Sequence, residues 1–228
     1  MKTIGFFGDS FCAERRNAHS LFYNYDSYIV KLEKHYKLKT VNVGRGGSSV
    51  WDLILNQYKP LEYNLPDVCV FVWTKPGRLY HKTERSLSIG HVMKPKIYSY
   101  NIFQKGVWDA AKAYYTHLYD HDKETLEYKA ILKYFDEEVL NKIPSKIVHL
   151  WSTGNPTEWT EEGFNEENVT YDHVFNTGVE VRPCLTNISL QEGKHLKMFD
   201  NDMRCNHLEG DVKNQRVFEM IKSAIDQQ

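Results

Sequence analysis

The stretch Ile4-Gly5-Phe6-Phe7-Gly8-Asp9-Ser10-Phe11 opens the chain with an apolar run that passes into a turn of small and polar residues. This pattern predicts a short buried strand followed by a tight turn. Such a turn presents the hydroxyl of Ser10 at the edge of a sheet, and Asp9 is expected to tether the turn by accepting backbone hydrogen bonds. A serine hydroxyl is a weak nucleophile until a base removes its proton. Ser10 is therefore a candidate nucleophile, the alternative being a serine that only satisfies local backbone groups.

A candidate base lies far along the chain, at Asn206-His207-Leu208. The segment precedes a predicted C-terminal helix, whose apolar face consists of Val217, Met220, Ile221, Ala224 and Ile225. An imidazole that titrates near neutrality is suited to proton transfer. His207 is thus a candidate general base, while the alternative is a helix cap or a surface residue. By contrast, His149 lies inside a predicted strand and is expected in the core.

Predicted strands alternate with predicted helices along the chain. The strands cover residues 3–7, 38–43, 68–73 and 146–151, with a short fifth strand at 179–181. Helices are predicted at 20–36, 106–120 and 124–141, and a short helix is predicted to start after a cap at Ser49. The apolar face of the helix at 124–141 consists of Leu126, Ala130, Ile131, Tyr134 and Phe135. This alternation predicts an α/β fold: a single-domain, three-layer α/β/α sandwich with a mainly parallel sheet.

Two segments do not belong to this minimal alternation. Residues 75–105 form a long, tyrosine-rich excursion after the third strand, which is expected to be irregular, and residues 152–178 form an acidic excursion without Lys or Arg. Both leave the carboxyl ends of predicted strands, where open α/β sheets bind ligands. We expect them to form walls of one cleft. Because no repeat and no low-complexity linker interrupts the sequence, residues 1–228 are predicted to form one domain.

Composition excludes several classes of protein. The 228 residues are 41% apolar and 26% charged, which is ordinary for a globular chain. A net charge of −1 argues against nucleic acid as a partner, and no apolar stretch reaches the length of a membrane span. The four cysteines lack Cys-x-x-Cys spacing, so no metal site is predicted. The first predicted strand begins at residue 3, so we expect no signal peptide and a cytoplasmic location.

Three short motifs together resemble the SGNH hydrolases, also called the GDSL esterase/lipase family. Gly8-Asp9-Ser10 matches the first block of that family, at the end of the first strand. Gly47 matches the glycine that follows the second strand, and His207 matches the histidine before the last helix. The motifs occur in the family's order, from residue 4 to about residue 225. The resemblance implies a flavodoxin-like sandwich with Ser10 as nucleophile and His207 as base.

The chain departs from the family pattern at the acid. The family's acid lies three residues before the histidine, where this chain has Arg204. The third member of such a triad orients the imidazole and stabilises the imidazolium. Asp202 is the first candidate for that role because it lies in the same loop as His207. Asp200 and a backbone carbonyl are the alternatives.

The second departure is the third block of the family, Gly-x-Asn-Asp, which has no counterpart after the third strand. The chain there reads Thr74-Lys75-Pro76-Gly77-Arg78 and offers no asparagine. An oxyanion hole needs donors aimed at the developing negative charge. The resemblance implies the N–H groups of Ser10 and Gly47, and the hydroxyl of Thr74 or the guanidinium of Arg78 is expected to replace the missing amide.

The resemblance implies a serine esterase that forms an acyl-enzyme on Ser10. Its substrates would be small acyl esters, among them acetyl esters of a carbohydrate, with Arg78, Tyr80 and His81 in contact with the substrate. No cofactor and no metal is implied, and the oligomeric state is open. The alternatives are an O-acyltransferase of the same fold and a catalytically degenerate, glycan-binding SGNH protein. The missing asparagine and the displaced acid favour the last of these, whereas the presence of Ser10, Gly47 and His207 opposes it.

Overall fold

The computed structural model describes residues 1–12, 26–83, 86–89, 92, 105–158, 165–191, 208 and 210–228. The predicted base His207 and the two acid candidates, Asp202 and Asp200, lie outside the described residues. The first part of the predicted helix at 20–36 also lies outside them.

One parallel sheet organises the described chain. The strands are β1 (Thr3–Gly8), β2 (Lys39–Asn42), β3 (Val68–Trp73), β4 (Arg78–Leu79), β5 (Leu87–Ser88), β6 (Lys146–Trp151), β7 (Asn155–Pro156), β8 (Val169–Thr170) and β9 (Val179–Val181). Five of them pair in the order β2-β1-β3-β6-β9, and every neighbouring pair is parallel. The five strands predicted from the sequence are therefore confirmed, with β2 shorter by one residue at each end.

The helices are α1 (Tyr28–Tyr36), α2 (Val50–Asp52), α3 (Lys105–His117), α4 (His121–Tyr134), α5 (Leu185–Gln191) and α6 (Asp211–Asp226). Two π-helical segments, Leu53–Tyr58 and Phe135–Val139, continue α2 and α4. Polar side chains cap the starts of three helices, because the first backbone N–H groups of a helix have no partner within it. The caps are Ser27, Ser49 and Asp120. The predicted cap at Ser49 is thus confirmed.

Helices cover both faces of the sheet. Alternate strand residues such as Phe6, Val70 and Leu150 pack on one face with α1 and α6. Their neighbours Phe71 and Trp73 pack on the other face with the helices that start at Ser49 and Asp120. All six residues of β3 are buried, as expected for a central strand that is covered on both sides. The predicted three-layer α/β/α sandwich with a mainly parallel sheet is confirmed.

The predicted apolar face of α4 is wrong in part. Leu126 and Tyr134 are 70% and 58% exposed, whereas Tyr128, Leu132 and Phe135 are buried against the sheet. Both sets satisfy helical spacing, so the sequence pattern admits either face. Phe135 belongs to both sets, and its ring packs edge-on against those of Phe71 and Trp73; the difference between the two faces is that Tyr128 and Leu132 are buried beside it in place of Leu126 and Tyr134.

The first excursion contains regular structure where the sequence predicted an irregular segment. Strands β4 and β5 pair antiparallel, and α3 packs on them around a small core that includes Leu87 and Trp108. The hydroxyl of Tyr115 on α3 lies 2.7 Å from the carbonyl oxygen of Gly77 and 2.6 Å from that of Leu87. α3 thus holds together both ends of the β4–β5 pair.

The second excursion closes over a buried histidine in β6. His149 is fully buried; its Nδ1 accepts a hydrogen bond from Trp73 Nε1 at 3.0 Å, and its Nε2 donates to the Thr177 carbonyl oxygen at 2.8 Å. Its ring stacks on Phe175 at 3.8 Å between centroids. Burial disfavours the charged imidazolium and lowers the pKa of His149 to about 4. The expectation that His149 is a core residue is confirmed.

Within the described residues, no helix combines the length and the apolar character that a membrane span requires.

Candidate active site

The candidate nucleophile lies where three strands end together. Gly8 of β1 is paired with Val72 of β3, and Val72 is paired with Leu150 of β6. The residues that follow these strands therefore meet at one carboxyl edge of the sheet. They are Asp9 and Ser10 after β1, Thr74 after β3, and Ser152 after β6.

Gly8 sets the course of the chain into the turn. Its φ of +153° is a value that favours glycine, and an added Cβ would lie 2.6 Å from Cβ and the carbonyl oxygen of Val72. Any larger residue would push β1 away from β3. The turn is then closed by a hydrogen bond from Cys12 N to Asp9 O at 3.2 Å. The backbone therefore turns sharply after β1, and Ser10 is a central residue of that turn.

Asp9 braces the turn from inside and is only 2% exposed. Its Oδ1 accepts a hydrogen bond from Phe11 N at 3.1 Å. Its Oδ2 accepts one from Ser152 Oγ at 2.9 Å, and Arg78 Nη1 lies 3.5 Å away from the same oxygen. The carboxylate spans from β1 to the end of β6, across the end of β3. Asp9 is thus a tether of the turn, as expected from the sequence.

Ser10 is half-buried and faces the loop that follows β2. Its Cβ is 3.9 Å from the place that a Cβ on Gly46 would occupy. That loop is joined to the turn by a hydrogen bond from Arg45 N to Gly8 O at 3.0 Å, and Gly47 within it has a φ of +82°. The structure therefore brings together two of the three matching motifs, the Gly-Asp-Ser turn and the Gly47 loop.

Cys12 is a second potential nucleophile beside the turn, but its environment disfavours the reactive thiolate. The side chain is fully buried. Burial, with a smaller contribution from the charge of Asp9, raises the pKa of the Cys12 thiol well above its ordinary value. Since the thiolate is the nucleophilic form, Ser10 is the better candidate of the two.

Thr74 follows β3 directly, and among the described residues its buried hydroxyl has no hydrogen-bond partner. The residue is 2% exposed, and among the residues that the structure describes none hydrogen-bonds to Thr74 Oγ1. Its backbone carbonyl is occupied, because the hydroxyl of Tyr128 donates to it. An orphaned buried hydroxyl is uncommon and calls for an explanation.

Arg78 joins the two motifs rather than extending into solvent. Its Nη1 donates a hydrogen bond to the Ser48 carbonyl oxygen at 2.7 Å and lies near Asp9 Oδ2. The side chain is 22% exposed. Together with Ser49, Trp51 and Tyr128, it lines a pocket between the start of α2 and α4. Arg78 is thus partly buried, and it connects the Gly47 loop to the serine turn.

Tyr80 and His81 are half-buried in the first excursion. The Tyr80 hydroxyl is 3.5 Å from Asn56 Oδ1, and His81 Nδ1 accepts a hydrogen bond from Thr83 N at 3.3 Å. Neither contact tests their assignment to substrate binding, which stays a prediction.

The described residues nearest to His207 connect to the serine turn through two buried side chains. Asn214 of α6 is 2% exposed, and its Nδ2 donates to the Leu208 carbonyl oxygen at 3.1 Å. Its Oδ1 accepts a hydrogen bond from Tyr28 N at 2.9 Å, and the Tyr28 hydroxyl donates to Phe11 O at 3.0 Å. Residue 208 and residue 11 are thereby linked through α1.

Several residues of the site carry no recognisable signal in the sequence. Ser152, Asp52 and Gln57 contact the turn or its neighbouring loop, yet they belong to none of the matching motifs. A buried polar residue in a helix of otherwise apolar partners is a weak hint for Asp52 and Gln57. Across the described ranges, no three His, Cys, Asp or Glu side chains come together as a metal site.

No family model and no curated protein matches the chain. Several solved structures are similar in outline. One is an acetyl xylan esterase with 15% identity and a TM-score of 0.45, covering 98% of this chain and 99% of the other. A protein described as a GDSL-like lipase, from Parabacteroides merdae, has 14% identity and a TM-score of 0.47 over 100% and 96% of the two chains. An acetylxylan esterase from Geobacillus stearothermophilus has 16% identity and a TM-score of 0.45 over 98% and 94%. Likeness at this level carries no argument about the activity of this chain.

Proposed function

We propose that this protein is a serine esterase of the SGNH type that hydrolyses small acyl esters through an acyl-enzyme on Ser10. The observation that carries the proposal is the Gly8-Asp9-Ser10 turn, which lies where β1, β3 and β6 end together, is braced by Ser152 and is packed beside the Gly47 loop. A turn held so firmly keeps the nucleophile in one orientation, which is what catalysis by positioning requires.

The proposed reaction begins when His207 takes the proton of Ser10 as Oγ attacks the ester carbonyl carbon. The carbonyl oxygen becomes an oxyanion, and the N–H groups of Ser10 and Gly47 donate hydrogen bonds to it. The tetrahedral intermediate collapses, and the alcohol leaves with the proton from His207. Water, deprotonated by His207, then attacks the acyl-enzyme, and the acid product and free Ser10 are released.

The link from Leu208 through Asn214 and Tyr28 to Phe11 supports His207 as the base. In the sequence His207 is adjacent to Leu208 and Ser10 is adjacent to Phe11, and the link connects the backbone at residue 208 to the backbone at residue 11. Asp202 in the same loop is proposed to orient the imidazole, with Asp200 or a backbone carbonyl as the alternative.

Thr74 is proposed as the third donor of the oxyanion hole. Its hydroxyl is buried at the strand end next to the serine turn and has no partner among the described residues. Donors that are left free in the resting state are available to a charge that develops only during the reaction. The oxyanion would thus be the hydrogen-bond partner of the Thr74 hydroxyl during the reaction.

The substrate is proposed to be a small or acetyl ester on a carbohydrate, bound by Arg78, Tyr80 and His81. Arg78 reaches the turn and also lines the neighbouring pocket, where the indole of Trp51 is 44% exposed. An exposed aromatic ring beside a pocket is a suitable surface for a sugar ring. A cytoplasmic location and the absence of a nucleic-acid partner remain expectations from the sequence.

A fluorophosphonate probe tests the proposal, because it reacts with activated serines. We expect the wild type to be labelled at Ser10, as located by peptide mass spectrometry, and to hydrolyse p-nitrophenyl acetate. Ser10→Ala is expected to lose both the label and the activity while keeping its melting temperature. Ser223→Ala, at an exposed serine on α6, is the matched control and is expected to keep both. A folded wild type that is neither labelled nor active would favour the glycan-binding alternative.

The same assay separates hydrolase from acyltransferase. An acyltransferase is expected to release one equivalent of p-nitrophenol in a burst and then turn over slowly until a sugar acceptor is added. A hydrolase is expected to turn over in water without an acceptor.

A further inference from the structure

Gln57 contacts the serine turn from a helix that no motif includes. It is 1% exposed and lies in the π-helical segment Leu53–Tyr58. π-helical turns are rare in proteins and are frequent at functional sites. Leu53 and Tyr58 of the same segment are buried as well.

The Gln57 amide binds both backbone groups of Gly8. Gly8 N donates to Gln57 Oε1 at 2.7 Å, and Gln57 Nε2 donates to Gly8 O at 3.0 Å. The orientation of the amide is determined by its partner, because the N–H of Gly8 is only a donor and needs an oxygen opposite it. The side chain thus acts as an additional strand neighbour for the last residue of β1.

The same amide also contacts the loop that carries Gly47. Gln57 Nε2 lies 2.9 Å from Ser48 Oγ and 3.2 Å from Asp52 Oδ2. Ser48 Oγ in turn lies 2.6 Å from Asp52 Oδ2, and Asp52 is 3% exposed. Gln57 therefore touches the residue two before Ser10 and the residue directly after Gly47.

We propose that Gln57 is a positioning residue that sets the spacing between the two backbone donors of the oxyanion hole, the N–H groups of Ser10 and Gly47. This inference rests on the proposed function. Gln57 holds both backbone groups of Gly8, the residue that leads into the Ser10 turn. It also contacts Ser48, the residue directly after Gly47. A donor contributes to catalysis only when it lies about 3 Å from the developing oxyanion. A small shift of the Ser10 turn relative to the Gly47 loop therefore lowers the rate of the chemical step.

The test variant is Gln57→Glu, which keeps the shape and the acceptor for Gly8 N but has at most one proton in place of the two amide protons that reach Gly8 O, Ser48 and Asp52. The matched control is Asn56→Asp. Asn56 Nδ2 also donates to Asp52, at 2.7 Å to Oδ1, but the residue makes no described contact with Gly8. Both variants replace an amide beside Asp52 with a carboxylate. They differ because only the Gln57 side chain hydrogen-bonds to the backbone of Gly8. Melting temperature, fluorophosphonate labelling rate, kcat and KM for p-nitrophenyl acetate are measured for each.

We expect Gln57→Glu to lower kcat and the labelling rate at least tenfold with KM within threefold, while Asn56→Asp changes kcat less than threefold. Equal losses in the two variants, or a loss confined to melting temperature, would overturn the inference and assign Gln57 a structural role. Should Gln57→Glu not fold, the double variant D52N/Q57E restores a donor beside the introduced carboxylate and is compared with D52N alone. A tenfold lower kcat in the double variant supports the inference, and equal kcat overturns it.

The wild type separates this inference from the proposed function. If the wild type is labelled and active but the Gln57 variants match the control, only the positioning role fails. If the folded wild type is neither labelled nor active, the proposed function fails and the positioning role fails with it.

Discussion

Thr74→Val should make the protein more stable and less active at the same time. The change replaces a hydroxyl with a methyl group at a site that is 2% exposed. The hydroxyl oxygen has no partner among the described residues, so the folded state bears its desolvation without a compensating hydrogen bond. Removing such a group is expected to stabilise the protein by about 1 kcal/mol.

The opposite effect is expected on catalysis. One oxyanion-hole donor typically supplies roughly 3 kcal/mol of transition-state stabilisation. We expect kcat/KM for p-nitrophenyl acetate to fall at least tenfold, which corresponds to about 1.4 kcal/mol. For a chain of this size, the gain in stability corresponds to a rise of about 2–4 °C in melting temperature.

Thr186→Val is the matched control for stability. Thr186 is 5% exposed, and its Oγ1 donates to the Ser152 carbonyl oxygen at 2.6 Å. Because this hydroxyl has a partner, its removal is expected to destabilise the protein by about 1 kcal/mol. If Thr74→Val destabilises as much as Thr186→Val does, the Thr74 hydroxyl has a partner and the reasoning is refuted. If activity is unchanged, the hole works with backbone donors alone.

Two further predictions concern charge at the site and in the core. Arg78→Ala should lower kcat/KM for p-nitrophenyl acetate at least tenfold and Arg78→Lys less, because Arg78 joins Ser48 to the buried Asp9. Wild-type values of kcat/KM in both variants would exclude a role of Arg78 in the active site. For His149, the folded pKa of about 4 lies below the ordinary value of 6.5. Between these values the unfolded chain binds more protons, so stability falls as pH drops from about 6.5 to 4, by at most about 3 kcal/mol from this residue. Thermal unfolding at pH 7 and 4.5 should show a smaller loss in His149→Gln than in the wild type, and an equal loss would contradict the assignment.

The strands were predictable because the information that specifies them is local. β3, β6 and β9 have the predicted bounds, since each is rich in apolar or β-branched residues and is bounded by turn residues. The glycine before Asp9-Ser10 was likewise visible, because a strand followed by small residues marks a sharp turn. Parallel order then followed from the alternation of strands and helices.

The rotation of α4 was not predictable from its own residues. Its sequence offers two apolar faces with helical spacing, and burial of Tyr128 and Leu132 rather than Leu126 depends on the aromatic side chains of β3. Periodicity identifies a helix, but the surface against which it packs selects the face.

The strand-turn-serine unit, the glycine loop after β2 and their order along the chain can be read from the amino-acid sequence alone. The contacts that hold this unit in place form only in the folded chain. Ser152 reaches Asp9 across 143 residues of sequence, and Gln57 reaches Gly8 across 49. The physical reason is that a buried polar group needs a hydrogen-bond partner within about 3 Å. Packing of the whole chain determines which distant residue comes that close, and a short stretch of sequence does not specify it.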